Sequence, residues 1–190
     1  MQRNSLIGFG LATLTSLASL AINVNPVFSQ TKTSQSENSQ VTFKCVKLFD
    51  QASDKQIPVT VAWIPERKQH IRFIAWKSEY FSRWSPEKRC KAATKKFQEF
   101  YDKGTLNYLS NGYHKGYPVI CAVQPGESCN GENRIFRIKP GSKPEIVLQR
   151  ILNIAEGKSS EMLHQNSGKK QLLIEVNRLF NEADAVVIDS

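Results

Sequence analysis

The amino-acid sequence predicts an α+β domain: a mainly antiparallel sheet with two or three helices packed on one face and two disulfides holding it together. Three observations predict it. Six short runs with β-branched or alternating character are separated by Gly, Pro and Asn turns. Three longer stretches carry apolar residues at helical spacing, and four cysteines, an even number, lie beyond an N-terminal export signal. The order reads β-β-β-α-β-β-β-α-α, strands in runs rather than alternating with helices, which points to α+β. A chain of 190 residues that is 40% hydrophobic and 23% charged is one domain with appendages, and it carries too much apolar area for wholesale disorder.

The first 29 residues read as a cleaved signal peptide. Met1–Ser5 carries Arg3 as its one side-chain charge, Leu6–Ile22 is apolar, and Val27 and Ser29 stand where a signal peptidase needs small side chains, which places the cut after Ser29. The rival, an uncleaved anchor, is weakened by Thr13, Thr15, Ser16, Ser19 and Asn23 within the run. No Cys closely follows it, which argues against a lipoprotein. Residues 30–40 (QTKTSQSENSQ) have nothing apolar to bury and form a polar linker. The mature chain is expected to be soluble or peripherally bound in the periplasm or at the membrane surface.

The four-Cys α+β domain spans 41–156. Val41–Leu48, Ile57–Ile64 and His70–Trp76 form three strands. Ser85-Pro86-Glu87 opens the first helix, with Ser85 as N-cap, Pro86 at the first helical position and Glu87 at the positive end of the dipole; Gly104 closes it. Thr105–Ser110 and Tyr117–Val123 form a hairpin through a turn containing Asn111-Gly112 and Gly116, and Arg134–Lys139 makes a sixth strand. In the second helix, Pro144–Glu156, Val147, Leu148, Ile151, Leu152 and Ala155 recur at helical spacing. Residues 157–190 are a polar connection and a C-terminal amphipathic helix, an appendage in which Leu172, Leu173, Val176, Leu179, Phe180 and Ala183 share one face.

In an oxidising compartment Cys45, Cys90, Cys121 and Cys129 read as two disulfides. Three pairings exist. The favoured one joins Cys121 to Cys129 across the Pro125-Gly126 turn and Cys45 to Cys90, first strand to first helix. Zinc would want close C-x2-C pairs, which are absent.

The formal charge is +9, and removal of the signal peptide takes away only Arg3. Residues 41–115 hold fifteen Lys and Arg against seven Asp and Glu, whereas 116–190 hold nine against nine. On the first helix Lys88, Arg89, Lys91, Lys95 and Lys96 cover an arc of about 160° at 100° per residue. Cys90, Ala93, Phe97, Phe100 and Tyr101 fill the other side. A basic face on an exported protein attracts an anionic membrane surface, an acidic polysaccharide or an acidic envelope protein; nucleic acid is not expected there. The bland alternative is a solvated face that maintains solubility.

No catalytic residue, metal site or cofactor is assigned. His70, His114 and His164 have no metal-ligand spacing, and neither a G-x-S-x-G elbow nor a Gly-rich phosphate loop occurs. Glu66 and Glu79 flank the third strand and are the one candidate acid/base pair of the glycosidase kind. Trp63, Phe73, Trp76, Tyr80, Phe81 and Trp84 cluster near the second and third strands, where core packing competes with a carbohydrate platform or an interface anchor. Trp84, beside Arg83, is the one most expected to be exposed. Tyr113 and Tyr117 bracket His114 and Lys115 in a contact loop or a plain hairpin.

A run of landmarks resembles the cyanobacterial circadian oscillating protein family of the twenty-three-kilodalton type. They are Thr42-Phe43-Lys44-Cys45, Pro58-Val59-Thr60-Val61-Ala62, Ile74-Ala75-Trp76-Lys77-Ser78 leading to Phe81, and Ser85-Pro86-Glu87-Lys88-Arg89-Cys90. Phe97-Gln98, Gly104-Thr105-Leu106-Asn107-Tyr108-Leu109, Tyr117-Pro118-Val119-Ile120-Cys121, Cys129 and Lys139-Pro140-Gly141 complete it. The likeness covers roughly Thr42–Glu156 and departs at Ser82-Arg83-Trp84, where the family has a Gly-containing turn. The resemblance implies export, an envelope location, the four-Cys framework and a link to circadian rhythm, and it carries over no catalytic residue. The function expected is a non-enzymatic envelope protein that binds an anionic surface or protein partner through the basic helix. The alternative is a secreted hydrolase acting on carbohydrate or peptidoglycan.

Overall fold

The computed structural model describes residues 40–77, 80–155 and 171–188. The segment expected to be a signal peptide, all of the expected linker but Gln40, and the polar connection lie outside the described residues. Three strands come first: β1 (Thr42–Asp50), β2 (Lys55–Ile64) and β3 (Gln69–Ala75), the last two joined by a 3-10 turn at Pro65–Arg67. Helix α1 (Pro86–Asp102) leads to β4 (Tyr108–His114), β5 (Tyr117–Val123) and β6 (Arg134–Arg137). Helix α2 (Pro144–Ala155) follows; beyond residues 156–170 come β7 (Leu173–Glu175), α3 (Val176–Glu182) and β8 (Ala185–Val186).

The result is α+β, with the strands divided into two antiparallel four-stranded sheets, ordered β1-β2-β3-β8 and β6-β5-β4-β7. Helix α1 packs on β1, β2 and β6, and α2 on β3, β4 and β5. One apolar core draws on both sheets and all three helices, including Phe43, Phe73, Phe97, Leu109, Ile120, Leu148 and Leu179. Phe97 stacks on Phe43 at 5.4 Å and meets Phe73 edge-on at 5.0 Å.

Helix α1 forms where its caps demand. Ser85 accepts from Lys88 N at 3.3 Å and Pro86 holds the first position. At the other end Gly104 has φ +66°, its N–H bonds to Tyr101 O at 2.8 Å and Thr105 N–H to Phe100 O at 2.9 Å, the paired bonds of a Schellman cap. Thr105 and Leu106 are consumed by that cap, so β4 starts at Tyr108 rather than at Thr105.

The β4–β5 turn is not where Asn111-Gly112 suggests. The chain reverses at Lys115-Gly116, whose φ values of 50° and 77° suit a two-residue hairpin. Asn111 and Gly112 lie within β4, opposite Ile120 and Val119. Their roles are tertiary: Asn111 Oδ1 accepts from Leu172 N at 2.7 Å, and Gly112 makes room for Cys129, since a Cβ there would stand 2.7 Å from Cys129 Cβ.

The C-terminal segment also differs from the single appended helix its periodicity suggests. Leu173–Glu175 extends and pairs with Ser110–Tyr108, the helix is confined to Val176–Glu182, and Ala185–Val186 pairs with Ile71 and His70. Val176, Leu179, Phe180 and Ala183 are buried in the main core. The segment therefore adds a strand to each sheet instead of standing apart, because the open edges of β4 and β3 satisfy its backbone.

Candidate functional site

Disulfides join Cys45 to Cys90, with Cα atoms 5.8 Å apart, and Cys121 to Cys129, with Cα atoms 5.6 Å apart. The first ties β1 to α1. The second closes the loop after β5 over Val119, Cys121, Val123 and Tyr108, a small second core.

The first bond decides what the basic helix faces. Helix α1 lies along β1, and between them runs an open groove of about 550 Å³, lined by Phe43, Lys44, Cys45, Val46, Lys91, Thr94, Lys95 and Gln98. No carboxylate is among these residues. Lys88, Lys91, Lys95 and Lys96 are exposed. Lys91 pairs with Glu87 at 2.7 Å and Lys96 with Glu99 at 2.8 Å, and these ammonium groups hold both carboxyls below their ordinary range. Both pairs are exposed helix pairs of small energetic weight. Arg89 departs from the set: its guanidinium lies half-buried over the rings of Trp76 at 5.5 Å and Phe81 at 5.3 Å. Lys44 and Lys47 of β1 join the face instead, Lys44 lining the groove and Lys47 standing close enough to lower the Glu87 carboxyl. Sequence reasoning missed both, although Lys44 precedes Cys45 and Lys91 follows Cys90, so the bond itself announces their approach.

The aromatic cluster divides. Phe73 and Trp76 are buried, and Trp76 Nε1 donates to Thr60 Oγ1 at 3.0 Å, itself 3.0 Å from Thr94 Oγ1. Trp63 rests against His70 at 4.9 Å, while burial first and Lys44 second hold the His70 imidazole below its usual pKa. Trp84 is 53% exposed and Tyr80 52%, with Lys139 over the Tyr80 ring at 5.1 Å.

A second basic cluster gathers at the β4–β5 hairpin. Arg137 stands over the Tyr117 ring at 4.5 Å. Burial, then Arg134, Lys115 and Arg137, depress the His114 pKa. The arginines were not anticipated there, since only β6 pairing brings them to this end of β5. Glu66 is exposed, and Glu79, the other member of the candidate carboxylate pair, lies outside the described residues, as does His164. Among the described residues no group of three His, Cys, Asp or Glu side chains could hold a metal ion.

These features define a disulfide-stapled, two-sheet α+β domain with a lysine-lined groove between an edge strand and a helix. Disulfides are consistent with an extracytoplasmic location, and among the described residues no helix is long and apolar enough to cross a membrane. The chain belongs to the family described as Circadian oscillating protein COP23, whose model matches residues 42–181. That match runs past Glu156 through β7 and most of α3, as expected of elements built into the sheets. No curated protein and no solved structure matches significantly.

Proposed function

We propose that this protein is exported and acts without catalysis in the cell envelope, holding an anionic partner against the basic face of α1 and β1. One observation carries the reading: Lys44, Lys91 and Lys95 line a single groove that has no carboxylate in its lining, and Lys88 and Lys96 are exposed on the same helix. Like charges brought together in this way repel one another, and a polyanion relieves that repulsion while releasing bound counterions. The two disulfides support export, and the family's name supports a role tied to the circadian rhythm. Exposed Trp84, just before α1, favours a lipid surface as the second reading.

The test is association of the mature protein with vesicles of phosphatidylglycerol and with an acidic polysaccharide, at low and at raised salt. Binding to an anionic matrix that salt reverses is expected. Changing Lys88, Lys91, Lys95 and Lys96 to Glu abolishes it on this reading. Undiminished binding by that variant overturns the assignment.

A further inference from the structure

Strand β1 is an edge: it pairs with β2, and among the described residues no strand lies on its other side. Two observations show which of its backbone groups face outward. Lys47 stands opposite Pro58, which has no N–H and whose C=O accepts from Trp76 N at 2.9 Å, so Lys47 and Pro58 are a non-hydrogen-bonded pair and the Lys47 N–H and C=O point away from β2. Phe43, of the same parity, donates its N–H to Gln98 Oε1 at 2.8 Å, and Gln98 Nε2 donates to Val41 O at 3.3 Å. By the alternation of the ladder Cys45 faces outward too. The Gln98 carboxamide thus makes, at one end of the edge, the two bonds a neighbouring strand would make. Beyond it the outward groups of Cys45 and Lys47 continue the row.

Helix α1 runs antiparallel to this edge, with Gln98 against Phe43 and Cys90 bonded to Cys45. Lys91, Thr94, Lys95 and Gln98 recur at i, i+3, i+4 and i+7, so they form one stripe along the groove. From Phe43 to Lys47 the strand spans roughly 13 Å at about 3.3 Å per residue.

We propose that this groove takes an extended acidic segment of another protein, which adds to β1 as a further strand and pairs its backbone with Cys45 and Lys47. This inference rests on the basic-face reading above and names the partner's form. Side chains of an added strand alternate, so acidic residues two apart would meet Lys91 and Lys95 on the helix side, and one between them would meet Lys44 on the other face. A headgroup or a polysaccharide can neutralise the same lysines, but it has no row of amides for the strand edge. The opposing possibility is that the lysines guard the edge against pairing, as charged edge residues commonly do.

The probe is an acetylated, amidated peptide of four Glu-Val repeats, compared with a copy N-methylated at every residue, which keeps the charge and loses the amide donors. The expected result is saturable binding of the first peptide, with the Cys45 and Lys47 amides gaining protection from hydrogen exchange. The methylated copy binds roughly tenfold more weakly or worse, the effect of losing one or two net backbone bonds. In the protein, Lys47→Pro weakens binding more than Lys47→Gln, and thermal unfolding checks that both variants fold. Equal binding of the two peptides overturns the strand addition and leaves the electrostatic reading standing. Failure of the first peptide on a protein that still binds anionic vesicles also overturns it, in favour of a guarded edge. If neither peptides nor anionic matrices bind, the basic-face reading falls as well.

Discussion

The two disulfides close loops of very different length, and their contributions to stability should differ accordingly. Cys45 and Cys90 are 45 residues apart in sequence, Cys121 and Cys129 only 8. Restricting the unfolded chain by the logarithm of loop length gives about 4 kcal/mol for the first bond and about 2.5 kcal/mol for the second. Each pair has one fully buried member, Cys90 or Cys121, so replacement by Ala leaves similar small voids and the difference between the pairs survives. Cys45→Ala with Cys90→Ala, and Cys121→Ala with Cys129→Ala, are compared with the parent by urea unfolding at 25 °C without reductant. The first pair should lose about 1.5 kcal/mol more than the second, and its Tm should fall by roughly 10 °C against roughly 6 °C for a domain of this size. Equal losses, or a larger loss from the Cys121–Cys129 pair, refute the loop-length argument. They would mean that native packing of the β5 loop over its small core, rather than chain restriction, dominates.

The remaining expectations concern single side chains. Gly112→Ala places a Cβ 2.7 Å from Cys129 Cβ and 2.9 Å from its Sγ, and should destabilise by about 1–3 kcal/mol as overpacking does; an unchanged urea midpoint would show that the loop yields freely. Phe97→Ala empties the centre of the Phe43–Phe73 cluster and should lose about 3–5 kcal/mol, read by the same unfolding. His70 has its folded pKa depressed by burial and then by Lys44. The unfolded chain therefore binds the proton more readily: the contribution of His70 to stability is complete above its ordinary value of about 6.5 and is lost as pH falls through that value toward the lower folded one. Tm measured from pH 8 to pH 5 should fall less steeply for His70→Gln than for the parent, and parallel curves would contradict the shift.

What was legible in the chain follows how local its cause is. Ser85-Pro86-Glu87 and Gly104 delimit α1 because caps act within a turn or two, and Tyr117–Val123 forms β5 with the bounds its β-branched run suggests. The failures have long-range causes. Asn-Gly is the strongest short hairpin signal, yet Gly112 is required in mid-strand by Cys129, seventeen positions on, and the turn falls to Lys115-Gly116. From Leu172 to Ala183 the apolar residues keep helical spacing, but Leu173–Glu175 pairs with β4, because an open strand edge satisfies backbone groups that helical periodicity does not register. The division into two sheets likewise depends on which edges meet, and no window of neighbouring residues encodes that.

The same distinction explains the site. Lysines on α1 are visible from helical geometry alone, whereas the removal of Arg89 to the Trp76 and Phe81 rings and the arrival of Lys44 and Lys47 depend on what α1 packs beside. The edge itself could be recognised only after the sheets were assembled. Edge strands invite pairing, and short ones offer little of it. Of the four sheet edges among the described residues, β6, β7 and β8 have four, three and two residues, while β1 has nine. Gln98 occupies one end of that long edge with a side-chain amide, and lysines from both walls flank the rest. A lysine fence alone would deter a second copy of this basic chain by repulsion while admitting an acidic one. On the proposed strand addition the pattern discriminates between partners by charge, and the Cys45–Cys90 bond, which ties the strand to the helix, holds together the two walls on which that discrimination would depend.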